Sequence, residues 1–166
     1  MLLRPGDHLW IDAWIPRHDP LWNADIAVAS AWVGAWWGAA LGRFGVGDLT
    51  VHRGRADPGR HGRLVCFSGR GPGELFLGER KVMGISQWRS RQGSLFHTCA
   101  YIRWEPGPLV ELLDVDPSVR EGLIKDLARS AIGVHDLKRV PGLDELRDSL
   151  LASFPAWERD IPPRRA

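Results

Sequence analysis

Two apolar, β-prone runs lie next to each other in the middle of the chain, Arg80–Arg89 and Ser94–Trp104, with Gln92-Gly93 between them. A short glycine-containing link between two such runs predicts a hairpin, which commits the chain to antiparallel pairing. His8–Ile15, closed by Pro16, reads as another strand, and Leu49–His52, Arg63–Ser68 and Glu74–Leu77 are shorter candidates separated by glycine- and proline-containing turns.

Helical patterning flanks this region. Asp19-Pro20 supplies an N-cap and a first-turn proline, predicting a helix through about Leu41. Trp22, Ile26, Ala29, Val33, Trp36 and Ala40 then recur at spacings of three and four on one face, where tryptophan is expected to pack a core rather than hold a ligand. Gly42 and Gly45 end the helix. Asp116-Pro117 opens a second, carrying Val119, Leu123, Leu127 and Ala131 and closed by Gly133, and Leu143, Leu146, Leu150 and Phe154 mark a last one before Pro155. The order of elements predicts an α+β fold, a mainly antiparallel sheet flanked by helices. Without an internal repeat or a long linker, one domain over 1–155 is expected, with a disordered tail at 156–166.

Composition narrows the function classes. With a formal charge of only +2, Arg53, Arg55, Arg60, Arg63 and the pair Arg164-Arg165 read as solvated surface, and no aromatic-basic motif points to nucleic acid. Two cysteines, Cys66 and Cys99, are too few for a disulfide framework. Both fall in apolar, strand-like runs, so buried reduced thiols are expected. The first residues lack an apolar signal core, no run reaches the about 18 apolar residues of a membrane span, and Gly34 and Gly38 interrupt the apolar helix over 27–41. A cytoplasmic protein away from membranes is expected.

The passage from Arg63 to Trp104 carries the chemistry. Lys81 stands early in an otherwise uncharged run, Val82-Met83-Gly84-Ile85-Ser86-Gln87. Gly84 removes a side chain where a backbone or ligand could approach, and Ser86 and Gln87 add hydrogen-bonding capacity. A lysine so placed can hold a point charge against an anionic or polarised oxygen. It can equally keep a sheet edge soluble, and composition alone favours that plainer reading. Gly69-x-Gly71-Pro72-Gly73 is glycine-rich but matches neither a P-loop nor a dinucleotide fingerprint, and a turn between strands is expected there.

Lys81 through Gln87, KVMGISQ, resembles the Lys-x-x-Gly-x-[Ala/Ser]-Gln pattern of lipoate–protein ligases and the related octanoyl (lipoyl) transferases. A Gly-Glu pair ahead of it, Arg89 and Arg91 behind it, and the apolar run Leu95–Trp104 fit the same block. The likeness extends over about residues 6–104 and weakens in the C-terminal helices. It implies part of a biotin/lipoate protein ligase catalytic domain. In that family the lysine contacts the acyl carbonyl and, in ligases, the adenylate phosphate. Val82, Gly84, Ser86 and Gln87 would then shape the adenylate pocket beside Lys81. The implied reaction joins lipoate and ATP, with Mg²⁺, into lipoyl-adenylate and passes the acyl group to a lysine of a lipoyl domain in a 2-oxoacid dehydrogenase or glycine-cleavage protein.

In the ATP-independent transferase branch a cysteine carries the acyl group as a thioester, and Cys66, ahead of Glu74 and the lysine block, stands where such a nucleophile would be. A third reading is a non-catalytic subunit or remnant that binds a lipoyl domain or partner chain. The chain departs from the family pattern in two places. Where the family often has His-Gly, the sequence reads His97-Thr98-Cys99, so His97 is expected to be displaced from any active role. The family's Arg-Arg-x-x-Gly-Gly-Gly-like acyl-binding block, which would lie just ahead of His8–Ile15, is absent. The expectation is the C-terminal portion of a catalytic domain: one half of a two-chain enzyme, a truncated product or a degenerate homologue. A sheet edge left uncovered beside His8–Ile15 would then favour a complementary chain or self-association.

Overall fold

A computed structural model describes residues 6–137, 140 and 142–155; the expected tail lies outside them. Five antiparallel strands form one sheet in the order β1-β5-β4-β3-β2: β1 His8–Pro16, β2 Leu49–Val51, β3 Leu75–Leu77, β4 Arg80–Arg89 and β5 Gly93–Tyr101. The predicted hairpin joins β4 to β5, with Arg89 opposite Ser94 and the Ser90 amide bonded to the Gly93 carbonyl. Among the described residues β1 pairs only with β5 and forms one edge of the sheet.

Helix α1, Ile26–Gly42, covers one face of the sheet. It starts six residues later than Asp19 suggests. The Asp19 carboxylate caps a local turn at the Leu21 amide (2.8 Å), whereas Asp25 accepts from the amides of Ala27 and Val28 and is the true N-cap. Trp22 therefore precedes the helix, held under the guanidiniums of Arg17 and Arg89, and Ile26 is 60% exposed. The rest of the predicted stripe is buried: Ala29, Val33, Trp36 and Ala40, with Trp37 beside them. The last helix, Leu143–Ser153, packs on α1 and ties to it through Trp36 Nε1 on the Leu150 carbonyl (2.7 Å) and Ser149 Oγ on the Ala40 carbonyl (3.0 Å).

Two further elements differ from expectation. Arg63–Ser68 contains no strand; Cys66–Ser68 forms a 3₁₀ turn, closed by Ser68 Oγ on the Val65 carbonyl. After β5 comes a short helix, α2 (Pro106–Glu111), which the sequence hides behind Glu105-Pro106-Gly107-Pro108. The helix opened by Asp116-Pro117, α3 (Pro117–Ala128), starts as predicted but ends before Ala131, which bridges to Lys81, and leaves Val119 exposed; α4 is Leu143–Ser153. Together, α2, α3 and the 3₁₀ turn enclose a smaller core of Val65, Phe67, Cys99, Val110, Leu123 and Leu127 at one end of the opposite sheet face. Among the described residues no helix is long and apolar enough to cross a membrane.

Candidate functional site

Lys81 reaches the site through a break in strand register. Phe76 lies opposite Lys81, but Leu75 lies opposite Met83, so β4 carries one extra residue, Val82. Such a bulge re-aims a side chain by shifting the alternation of faces. Beyond it, Gly84, Ser86 and Trp88 line the face away from α1, and Lys81 joins them instead of pointing into the main core. A second clamp acts on its backbone. The Lys81 amide donates to the Ser130 carbonyl (2.8 Å), and the Lys81 carbonyl accepts from Ile132 (3.0 Å), just after α3.

The ammonium is enclosed, with Lys81 only 1% exposed. Its Nζ lies 2.9 Å from Glu74 Oε1, 2.8 Å from Oε2 and 2.9 Å from the Cys66 carbonyl oxygen. The rings of Phe67 and Phe76 flank it at 5.3 and 6.0 Å. Glu74 is buried as well, and the Gly71 amide donates to its Oε2 at 2.6 Å. The glycine-rich segment thus forms a turn, although it leads from the 3₁₀ turn and not from a strand into β3, and it caps the carboxylate that holds Lys81. Burial pushes the Glu74 carboxyl up from its ordinary value, and Lys81, the Gly71 amide and the Ile85 amide pull it part of the way back. Gly84 leaves room for a ring rather than a backbone. A Cβ there would meet a Phe67 ring carbon at 3.1 Å and Glu74 Oε1 at 3.5 Å.

The expected cysteines divide. Cys99 is buried, and burial pushes its thiol up to about 12. Cys66 is exposed, contrary to the expectation of a buried thiol, because its run folds as a 3₁₀ turn at the surface. It lines an open pocket of about 240 Å³ with Gly62, Leu64, Phe67, Tyr101 and Leu109. Cys66 and Phe67 therefore belong both to the pocket wall and to the Lys81 enclosure.

The other predicted residues separate. Ser86 is exposed on the same face as Gly84, while Gln87 points toward α1, where neither atom of its side-chain amide has a partner. Val82 is core. The open face continues past Ser86 as an aromatic surface: Trp10 and Trp14 on β1, Trp88 on β4, with Trp14 43% and Trp88 55% exposed and their rings 6.5 Å apart. Asp12 and His97 stand among them, His97 Nδ1 lying 2.8 Å from Asp12 Oδ1. Sequence reasoning set His97 aside and missed Glu74 and Asp12 as site residues. The available signal for Asp12 was a lone carboxylate in the strand HLWIDAWI.

No protein-family model matches the chain, and no curated protein is similar to it in sequence. Solved structures do match. The bipartite lipoate–protein ligase of Thermoplasma acidophilum, determined in a study of an archaeal lipoylation system with its E2 lipoyl domain, superposes with a TM-score of 0.62 at 19% identity, over 90% of this chain and 50% of that one. A lipoate–protein ligase A bound with ATP gives 0.53 at 21% identity, over 89% and 49%. A putative lipoate–protein ligase from T. acidophilum with bound lipoic acid gives 0.52 at 19%, over 90% and 51%. The chain therefore has the α+β fold of lipoate–protein ligases. It spans about half the length of the ligases it matches.

Proposed function

We propose that this chain is the Lys81-bearing part of a lipoate–protein ligase. Lipoate and ATP would give lipoyl-adenylate and pyrophosphate, and the acyl group would then pass to the lysine of a lipoyl domain in a 2-oxoacid dehydrogenase or glycine-cleavage protein, releasing AMP. The observation that carries this reading is the bulge at Val82, which delivers a lysine ammonium to the open sheet face, directly behind the pocket wall at Cys66 and Phe67.

ATP supplies the adenylate that turns a carboxylate into an acyl donor. Mg²⁺ would accompany the ATP phosphates, as it does for most nucleotide phosphates. Lys81 supplies a fixed positive charge for the oxygen that becomes an oxyanion during acyl transfer. Its three donors are engaged by Glu74 and the Cys66 carbonyl, so contact with an acyl oxygen exchanges one of these bonds. The aromatic surface of Trp14 and Trp88 offers an apolar bed for a chain such as lipoyl. Edge strand β1 is where a complementary chain, or a second copy, would extend the sheet and supply the acyl-binding remainder.

The exposure of Cys66 at the pocket favours a second reading, the ATP-independent transferase, in which the Cys66 thiolate displaces a carrier thiol and holds the acyl group as a thioester. Lipoate-dependent exchange of pyrophosphate into ATP supports the ligase. An acyl thioester on Cys66, trapped and located by mass spectrometry, supports the transferase. If neither occurs while a lipoyl domain still binds, the role is that of a non-catalytic partner.

A further inference from the structure

Asp12 is the only carboxylate on β1, and one of its oxygens serves two donors: Trp10 Nε1 at 2.6 Å and His97 Nδ1 at 2.8 Å. A carboxylate accepts and does not donate, so His97 Nδ1 carries the proton and Nε2 remains as the ring's basic site. Trp10 packs against the same imidazole, ring centres 5.5 Å apart. His97 sits on β5 between Asp12 on β1 and Ser86 on β4, on the open face. It is two residues, about 7 Å of strand, along β5 from Cys99, which pairs with Gly84, where a Cβ would lie 3.5 Å from the Glu74 oxygen that holds Lys81. A carboxylate, an imidazole of fixed tautomer and an open nitrogen form the base-and-orienter arrangement of general-base catalysis.

We infer that His97, oriented by Asp12, is the proton acceptor for the attacking lysine of the lipoyl domain; this rests on the acyl-transfer reading above. The acceptor lysine is an ammonium at neutral pH and attacks only after losing a proton. Its nitrogen then forms the C–N bond and sheds a second proton, while the C–O bond to the adenylate breaks and AMP leaves. His97 Nε2 takes the first of these protons, the second passes to solvent as AMP leaves, and Asp12 stabilises the imidazolium that forms. Lys81, at the other end of the face, handles the carbonyl oxygen. Lys81 and His97 thus divide the two charges of the transfer step.

The test supplies preformed lipoyl-adenylate to the full chain and compares two nucleophiles, a lipoyl domain and hydroxylamine, which is already unprotonated at neutral pH. His97→Gln is expected to slow transfer to the lipoyl domain about 10²-fold or more, while hydroxamate formation falls only a few-fold. Asp12→Asn presents an amide to Nδ1, and is expected to slow lysine transfer and to move the imidazole ¹⁵N signals of His97 away from the Nδ1–H tautomer. Unchanged lysine transfer in His97→Gln overturns the inference. Equal losses with both nucleophiles overturn it too, because they mark a structural role. Wild-type protein that transfers to neither nucleophile, with lipoyl-adenylate supplied well above the weak affinity expected of the chain alone, overturns the acyl-transfer reading itself, and this inference with it.

Discussion

Glu74 and Lys81 form a buried ion pair, 1% exposed on the lysine side and 6% on the glutamate side, with Nζ within 3 Å of both carboxylate oxygens. Such a pair costs desolvation on both sides, and removing one partner leaves the other charged in a dry site. Lys81→Met should therefore destabilise the fold by about 3–5 kcal/mol near pH 8. The sign of its pH dependence follows from Glu74. Burial already raises that carboxyl, and losing the lysine raises it further, so the folded variant binds the proton more readily than the unfolded chain. The contribution is fully present below the ordinary carboxylate value and is lost as pH rises through the folded one. The deficit of Lys81→Met should shrink from pH 8 toward pH 5, and Lys81→Met/Glu74→Gln should recover much of it. Denaturation at both pH values measures this; an equal deficit at each would refute the buried-pair account.

The cysteines give a second prediction. Cys66 is exposed and Cys99 is buried with its thiol pushed up to about 12. A thiol-reactive probe at neutral pH should modify Cys66 in the native protein and reach Cys99 only on unfolding, and Cys66→Ala should abolish the fast phase alone. Two thiols reacting together in the native state would contradict the placement of both.

Much of the fold was legible in local signals. Gln92-Gly93 between two β-prone runs gives the β4–β5 hairpin, and Asp116-Pro117 gives the start of α3, because turn and cap chemistry act over a few residues. The start of α1 was misplaced because Asp19 and Asp25 both cap amides, and only packing of the following segment decides which one opens the helix. The site was less legible. KVMGISQ marks Lys81, but the bulge that re-aims it depends on the register of β3 against β4, which no local pattern encodes. The same is true of Asp12 and His97, which lie 85 positions apart in the chain. LVCF looks like a strand, and the signal against it is the Ser68-Gly69-Arg70-Gly71-Pro72-Gly73 run that follows.

Gly84 provides a packing prediction. Phe67, which a Cβ there would press, stacks on Trp104 and meets the edge of Tyr101, so it has little room to yield. Gly84→Ala should cost about 1–3 kcal/mol through overpacking. Gly38→Ala, where the added Cβ meets only a Leu75 methyl at 3.7 Å, should cost less. Chemical denaturation of the two variants ranks them, and the reverse order would contradict the fit of Phe67 over Gly84.

The half-length match to the ligases predicts weak capture of the small substrate. On the proposed function the chain alone should bind lipoate more weakly than micromolar, because a complementary chain would supply part of the acyl site. Titration calorimetry with lipoate and ATP checks this, and micromolar binding of lipoate to the isolated chain would mean that the pocket is complete without a partner.

The central claim is that the Lys81 charge drives acyl transfer, and one measurement addresses it most directly: the rate at which a lipoyl domain gains the lipoyl mass from preformed lipoyl-adenylate. Lys81→Met/Glu74→Gln keeps the buried site neutral, so a loss of rate in this variant reports the missing charge and not an unfolded chain. The predicted result is a fall of about 10²-fold or more relative to wild type. A folded double variant that transfers at the wild-type rate would contradict the account.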